Sequence, residues 1–225
     1  CVQAENDFAG APTGGMDQAV VLRAKPGHAL LLDCSTFEAD HAPVPGDGEL
    51  LVVDTRAHHA LTDGRYGGRR EACERAAQEL GVPTLAAVEL DDLDKTLSRL
   101  RDQELRGVTR HVVTEIRRVG TVVAQLRAGT LLAAGPTLVE SHASMRDDFV
   151  ISTPELDLVV GSAVAAGAAG ARMTGGGFGG SAVVVCRHGE RGRVAEAVAD
   201  AFAAAGHARP GMLAVEASAA AGRVA

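Results

Sequence analysis

The spacing of hydrophobic positions changes character along the chain. Near the start, short runs rich in Val and Leu alternate with turns that contain Gly or Pro: Ala19 to Arg23, His28 to Asp33, Phe37 to Val44 and Glu49 to Thr55. That spacing predicts antiparallel strands. Beyond Thr55 the period becomes helical. Arg65 to Leu80 reads as a helix stopped by Gly81 and Pro83. In Leu105 to Ala128, the residues Leu105, Val108, Val112, Ile116, Val119, Val123 and Leu126 recur every third or fourth position. They form one apolar stripe, with Arg110, Arg117 and Arg118 pointing away from much of it and Gly129 ending it. Thr130 to Arg146 and Pro154 to Ala169 predict two further helices, with Asp147 and Asp148 in the connection between them. The tail predicts a strand at Ala171 to Met173, a glycine loop, a strand at Ser181 to Arg187, a helix at Gly192 to Ala205 and a last strand at Met212 to Glu216. The pattern is that of an α+β protein. The early strands are expected to form one unit, residues 1–60, and the later helices and strands a second, residues 61–225.

The composition sharpens this picture. A chain of 225 residues suits one large domain or somewhat more. With 46% apolar residues, 3% aromatics and no Trp, the core must be built mainly from Val, Leu and Ala. The net charge is −7 and there is no basic block, so the sequence shows no electrostatic footprint for nucleic acid or an anionic membrane. An anionic nucleotide is still compatible with it, if the site itself gathers N–H groups or a metal. No apolar run reaches membrane-spanning length and no signal peptide is visible. Cys1, Cys34, Cys73 and Cys186 form no CxxC pair and read as reduced core residues of a cytoplasmic protein, with one disulfide pair as the alternative. The chain starts with Cys, and "CVQAEN" reads like the middle of an element, so an upstream part is expected.

Several residues could carry chemistry. The stretch "ARMTGGGFGGSAVVVC", Ala171 to Cys186, places five glycines between two apolar runs. Glycines let backbone N–H groups converge on an anion, since no Cβ blocks the approach and positive φ is allowed. The stretch lacks the Lys-Ser/Thr ending of a P-loop and is not followed directly by a helix. Composition alone fits a phosphate site and a tight hairpin loop equally. Asp17 follows two glycines and precedes an apolar run; it suits a base toward a hydroxyl, or a turn or capping residue. Glu5 suits a ligand for a hard cation such as Mg²⁺, or a solvated charge. Tyr66, the single tyrosine, suits a sugar contact or a packed residue at the start of a helix. Neither His58-His59 nor Asp147-Asp148 shows metal-ligand spacing.

Taken together, "AENDFAGAPTGGMDQ", "RHVVTEIRR", "ESHASMRDDFVISTPELD" and "GARMTGGGFGGS" resemble the galactokinase family of the GHMP kinase superfamily, in that family's order and over essentially the whole chain. The resemblance implies a two-lobe GHMP-kinase-like fold, with residues 1–60 ending the N-terminal lobe and residues 61–225 forming the C-terminal lobe. It implies transfer of the γ-phosphate of ATP to O1 of galactose, with Mg²⁺. Asp17 falls at the family's catalytic base, Glu5 at a carboxylate ligand of Mg²⁺, and Gly14 and Tyr66 at sugar contacts. Gly175, Gly176 and Gly177 fall in the third family motif, which borders the phosphate site. No individual role carries over for "ESHASMRDD".

The family's N-terminal signature, an arginine beside the base, further sugar ligands and the Gly/Ser-rich ATP loop have no counterpart in the sequence. They are expected upstream, and the isolated chain is expected to be inactive. The resemblance equally fits a galactose- and ATP-binding transcriptional sensor, a kinase for N-acetylgalactosamine or arabinose, or one half of a split enzyme. Self-association through open sheet edges, or pairing with an N-terminal piece, is also expected.

Overall fold

The computed structural model describes residues 15–57 and 65–222, with Arg65 and Tyr66 given only by their place in a helix. The described elements begin with helix α1 (Met16–Arg23), followed by strands β1 (His28–Leu32), β2 (Ala39–Pro43) and β3 (Gly48–Asp54). Helix α2 (Arg65–Leu80), two short 3₁₀ turns and helix α3 (Leu93–Arg99) lead into the long helix α4 (Gln103–Arg127). Then come α5 (Ala134–Asp147), α6 (Pro154–Ala165), β4 (Gly170–Thr174), β5 (Ser181–Arg187), α7 (Arg191–Ala204) and β6 (Gly211–Val215).

Two sheets result, both antiparallel. β1 and β2 form a hairpin with Leu30 opposite His41. The second sheet has the order β4-β5-β3-β6, with Val52 opposite Val183 on one side and Leu213 on the other. Alternation along the strands sorts their side chains. Leu51, Val53, Ala171, Met173, Ala182, Val184 and Cys186 pack with Leu156 and Val159 of α6 and Val194, Val198 and Phe202 of α7. Leu50 and Val185 turn to the opposite face, against Ala29 and Ala42 of the hairpin and Val123 and Leu126 of α4.

Helix α4 therefore changes partners along its length. Leu105 and Val108 pack against Ala72, Ala76 and Leu80 of α2, whereas Val122 to Leu126 cover the hairpin and sheet. Asp102 caps it, accepting from Glu104 N–H at 2.8 Å. At its far end the Asp47 carboxylate accepts from Leu131 N–H and Thr130 Oγ1, both at 2.8 Å, and fixes the turn into α5.

Some expectations change. Ala19 to Arg23 is not a strand but most of helix α1, entered from Gly15 at φ 80°. A short apolar run has no period that separates strand from buried helix, and the pairing that would make this one a strand is absent among the described residues. Strand β3 does not stay with the early strands. It lies between β5 and β6 in the second sheet. The stripe on α4 is interrupted, with Ile116 51% and Val119 41% exposed. The cysteines differ as well: Cys186 is buried, Cys73 half-buried and Cys34 exposed, all of them free. Burial pushes the Cys73 and Cys186 thiols up to about 11. No helix among the described residues is long and apolar enough to cross a membrane.

Candidate active site

The glycine stretch is the loop of the β4–β5 hairpin, whose ladder ends at Thr174 opposite Ser181. Its backbone explains its composition. Gly175, Gly177, Gly179 and Gly180 all have positive φ, between 84° and 135°, and Phe178 joins them at 62°. Beyond that conformational demand, Gly177 has no room for a side chain, because a Cβ there would stand 2.6 Å from Ile151 O. Phe178 N–H donates to the same carbonyl at 2.7 Å. At the loop's far end, Thr55 donates to Gly180 O from both its N–H, at 3.0 Å, and its Oγ1, at 2.7 Å. Among the described residues, no loop amide other than Phe178 donates outside the hairpin. A turn with positive φ at so many positions can turn backbone N–H groups toward an anion.

The loop borders a cleft of about 520 Å³ whose other walls include Gly68 and Arg69 of α2, Glu104 and Arg110 of α4 and Asp148. Its charged groups are satisfied in pairs. Arg69 bonds Glu104, and Arg110 Nη1 lies 2.8 Å from Asp148 Oδ1. Asp147 pairs instead with Arg146, which holds its carboxyl below the ordinary value.

Behind the loop lies a polar network built from α4, α5, α6 and β4. Glu115 accepts from Ser141 Oγ at 2.6 Å, Arg118 Nε at 2.7 Å and Arg172 Nη1 at 3.0 Å. Burial raises its pKa, but Ser141, Arg118 and Arg172 outweigh that and hold it below the usual value. His142 accepts from Met173 N–H at 3.2 Å and donates to Asp157 Oδ1 at 3.0 Å. Its pKa is lowered by burial, against the opposing pull of Asp157. Ser152 Oγ donates to Asp157 at 2.7 Å. His111 stacks on Phe149 with ring centroids 4.5 Å apart, and burial lowers its pKa to about 4.

The residues predicted from sequence are distributed unevenly over this geometry. Gly175, Gly176 and Gly177 lie together in the loop. Asp17 sits exposed in the first turn of α1, the end of a helix that favours negative charge. Helix α1 packs on β1 and receives N–H donors from Ala220 and Ala221 of the tail. Among the described residues no hydrogen bond or ion pair joins Asp17 to the glycine loop. Tyr66 lies in the first turn of α2, two residues before Gly68 of the cleft. Glu5, Gly14 and the His58-His59 pair lie outside the described residues. Sequence reasoning quoted the stretches that hold Glu115, His142, Ser152 and Asp157 but assigned them nothing. Glu115, His142 and Asp157 stand at helical positions and Ser152 just before α6; the fold buries His142 and half-buries the other three.

Residues 122–204 match the family described as GHMP kinases C terminal. Galactokinase of Streptomyces coelicolor is 52% identical over 214 residues, which make up 93% of this chain and 55% of that protein. Human galactokinase is 44% identical over 188 residues, 82% of this chain and 47% of that protein. The chain is a galactokinase homologue with a GHMP kinase C-terminal domain. A crystal structure of Lactococcus lactis galactokinase complexed with galactose superposes with a TM-score of 0.89, at 29% identity, over 97% of this chain and 58% of that one. The chain thus spans about half the length of the curated relatives it matches. The matched family span runs from the end of α4 through α7, whereas β3 and β6, two of the four sheet strands, lie outside it.

Proposed function

We propose that this chain forms part of a sugar kinase that transfers the γ-phosphate of ATP to O1 of α-D-galactose, as a cytoplasmic enzyme of galactose metabolism. The observation that carries the reading is the 0.89 superposition on the galactose-complexed galactokinase, which extends over 97% of the chain. In this reading Asp17 is the base that accepts the O1 proton. Gly14 and Tyr66 contact the sugar, and Gly175, Gly176 and Gly177 border the phosphates. The loop's φ values support the last assignment, because phosphoryl transfer depends mainly on positioning and charge stabilisation.

Mg²⁺ belongs to the same proposal through Glu5, which lies outside the described residues. The described residues hold no group of three or more His, Cys, Asp or Glu that could hold a metal. When bound, it would neutralise charge on the transferring phosphates. The chain's own residues supply the base and the backbone wall of the site.

The test is galactose-dependent ATP consumption by the full-length protein and its Asp17→Ala variant. A positioned base contributes about 10²–10⁴-fold, so kcat should fall by that order while galactose still binds. Turnover near that of the unmodified protein would remove Asp17 from the role. Ligand-dependent binding of a protein partner without turnover would favour a sensor instead. Comparison of galactose with N-acetylgalactosamine and arabinose fixes the sugar.

A further inference from the structure

The stretch "ESHASMRDDFVISTPELD" keeps the glycine loop company throughout the fold, yet nothing above gives it a task. Among the described residues β4 is an edge strand, paired only with β5, so its outward main-chain groups have no strand there to bond. Helix α5 covers that edge. At one end the two backbones meet so closely that a Cβ on Gly170 would overlap Gly135 and one on Gly135 would overlap the carbonyl of Ala169. Further along, His142 Nδ1 takes the Met173 N–H. The two contacts are in register, since Gly135 and His142 lie about 10 Å apart along a helix, as Gly170 and Met173 do along a strand.

Met173 is the last buried residue before the loop, with no exposed surface. Both of its main-chain groups are held by ionisable side chains. Its N–H goes to His142, and its carbonyl accepts from Arg172 Nε at 3.0 Å. Because Met173 N–H can only donate, Nδ1 of His142 carries no proton. The proton sits on Nε2 and faces Asp157, which Ser152 also fixes. Ile151, beside Ser152, supplies the carbonyl that holds Phe178 at the loop's tip.

We propose that His142, oriented by Asp157, is a positioning residue that sets the glycine loop by acting as the missing strand partner of Met173. The stretch from His142 to Asp157 thereby becomes the frame of the loop, fixing its root through Met173 and its tip through Ile151. The proposal rests on the kinase reading only in giving the loop a phosphate to meet; the positioning itself is a property of the fold.

Asn and Gln substitutions separate the two bonds of the imidazole. In His142→Asn the amide oxygen lies where Nδ1 was and can accept from Met173, whereas in His142→Gln the side-chain amide reaches Asp157 and leaves Met173 without an acceptor. Amide hydrogen exchange over residues 173–180 of the full-length protein reads this directly, and ATP and galactose kinetics read its consequence. An unsatisfied buried N–H should lower protection at Met173 roughly tenfold to a hundredfold in the Gln variant, with the Asn variant near the unmodified protein. Kinetically, KM for ATP should rise in the Gln variant and recover in the Asn variant, with KM for galactose nearly constant in both. Equal protection in both variants, or better rescue by Gln than by Asn, overturns the proposal. If the unmodified protein does not phosphorylate galactose, the kinase reading fails, while the exchange pattern still decides the positioning role. A His142→Ala variant, should it fold, is expected to match Gln in exchange.

Discussion

Gly175 and Gly177 provide a matched pair for testing why the loop is made of glycine. Their φ values are 86° and 84°, so an alanine at either position meets the same left-handed penalty of about 1–2 kcal/mol. The surroundings differ. A Cβ at Gly175 enters open space, whereas one at Gly177 stands 2.6 Å from Ile151 O and 2.7 Å from Ile151 Cβ, where ordinary contact begins near 3.4 Å. Either the loop or Ile151 must give way by several tenths of an ångström. The same carbonyl accepts from Phe178 N–H, so the movement also loosens that bond, at a further cost of about 1–3 kcal/mol.

Gly175→Ala should therefore destabilise by about 1–2 kcal/mol and Gly177→Ala by about 2 kcal/mol more. Denaturant midpoints at unchanged m-value measure both. In a chain of this size the gap corresponds to roughly 4–8 °C in Tm. Stabilities within about 0.5 kcal/mol of each other, below the usual effect of such a contact, would refute the reasoning: Ile151 would then not brace the loop, and backbone strain alone would account for the glycines. Under the kinase reading, Gly177→Ala should also lower phosphorylation more than Gly175→Ala does.

Two further outcomes follow from the polar network. Glu115→Ala leaves Arg118 and Arg172 facing each other without their shared carboxylate and should cost about 3 kcal/mol, the range for breaking a partly buried ion pair, read by denaturant unfolding. Acid should destabilise the fold in two stages. His111, which faces Glu115, Arg118, Arg172 and Asp148, and His142, which faces Asp157, Arg146 and Arg172, both have folded pKa values below the ordinary 6.5. The unfolded chain therefore binds protons that the folded chain refuses, and stability, complete above about pH 6.5, falls toward pH 4 by about 1–3 kcal/mol per pH unit. Glu115, held below its ordinary 4.5, adds further loss beneath that pH; a flat stability profile from pH 7 to 5 would contradict the histidine assignments.

Local pattern made part of this legible. The strand-loop-strand around the glycines, the hairpin at β1 and β2, and most of α4 follow from period and turn chemistry, whereas the Asp102 cap of α4 was not read from the sequence. Long-range pairing did not follow. The short apolar run at Gly48–Asp54 announces a strand, but nothing in it names Ser181–Arg187 and Gly211–Val215 as its neighbours. Helix α3 is too short, at LDKTLSR, to show a period. The frame of the loop was hidden for a related reason. His142 and Asp157 lie on separate helices, and only the turn between α5 and α6 brings them together.

The position of the Glu115 cluster follows from the same geometry. Near the middle of α4, the helix stops packing against α2 and begins packing against the hairpin, and the apolar stripe has little to bury there, as the exposure of Ile116 and Val119 shows. A purely apolar contact at such a crossover would tolerate sliding by a turn, because hydrophobic burial has no direction. Glu115 instead presents a carboxylate to Arg118 on its own helix, Ser141 on α5 and Arg172 on β4. That contact fixes direction and register together. Arg172 is also the residue whose Nε holds the Met173 carbonyl, so the register of α4 reaches the root of the glycine loop through one side chain. The polar residues at the crossover thus contribute a single geometry more than they contribute net stability, and a loop built almost entirely of glycine needs that geometry to be imposed from outside.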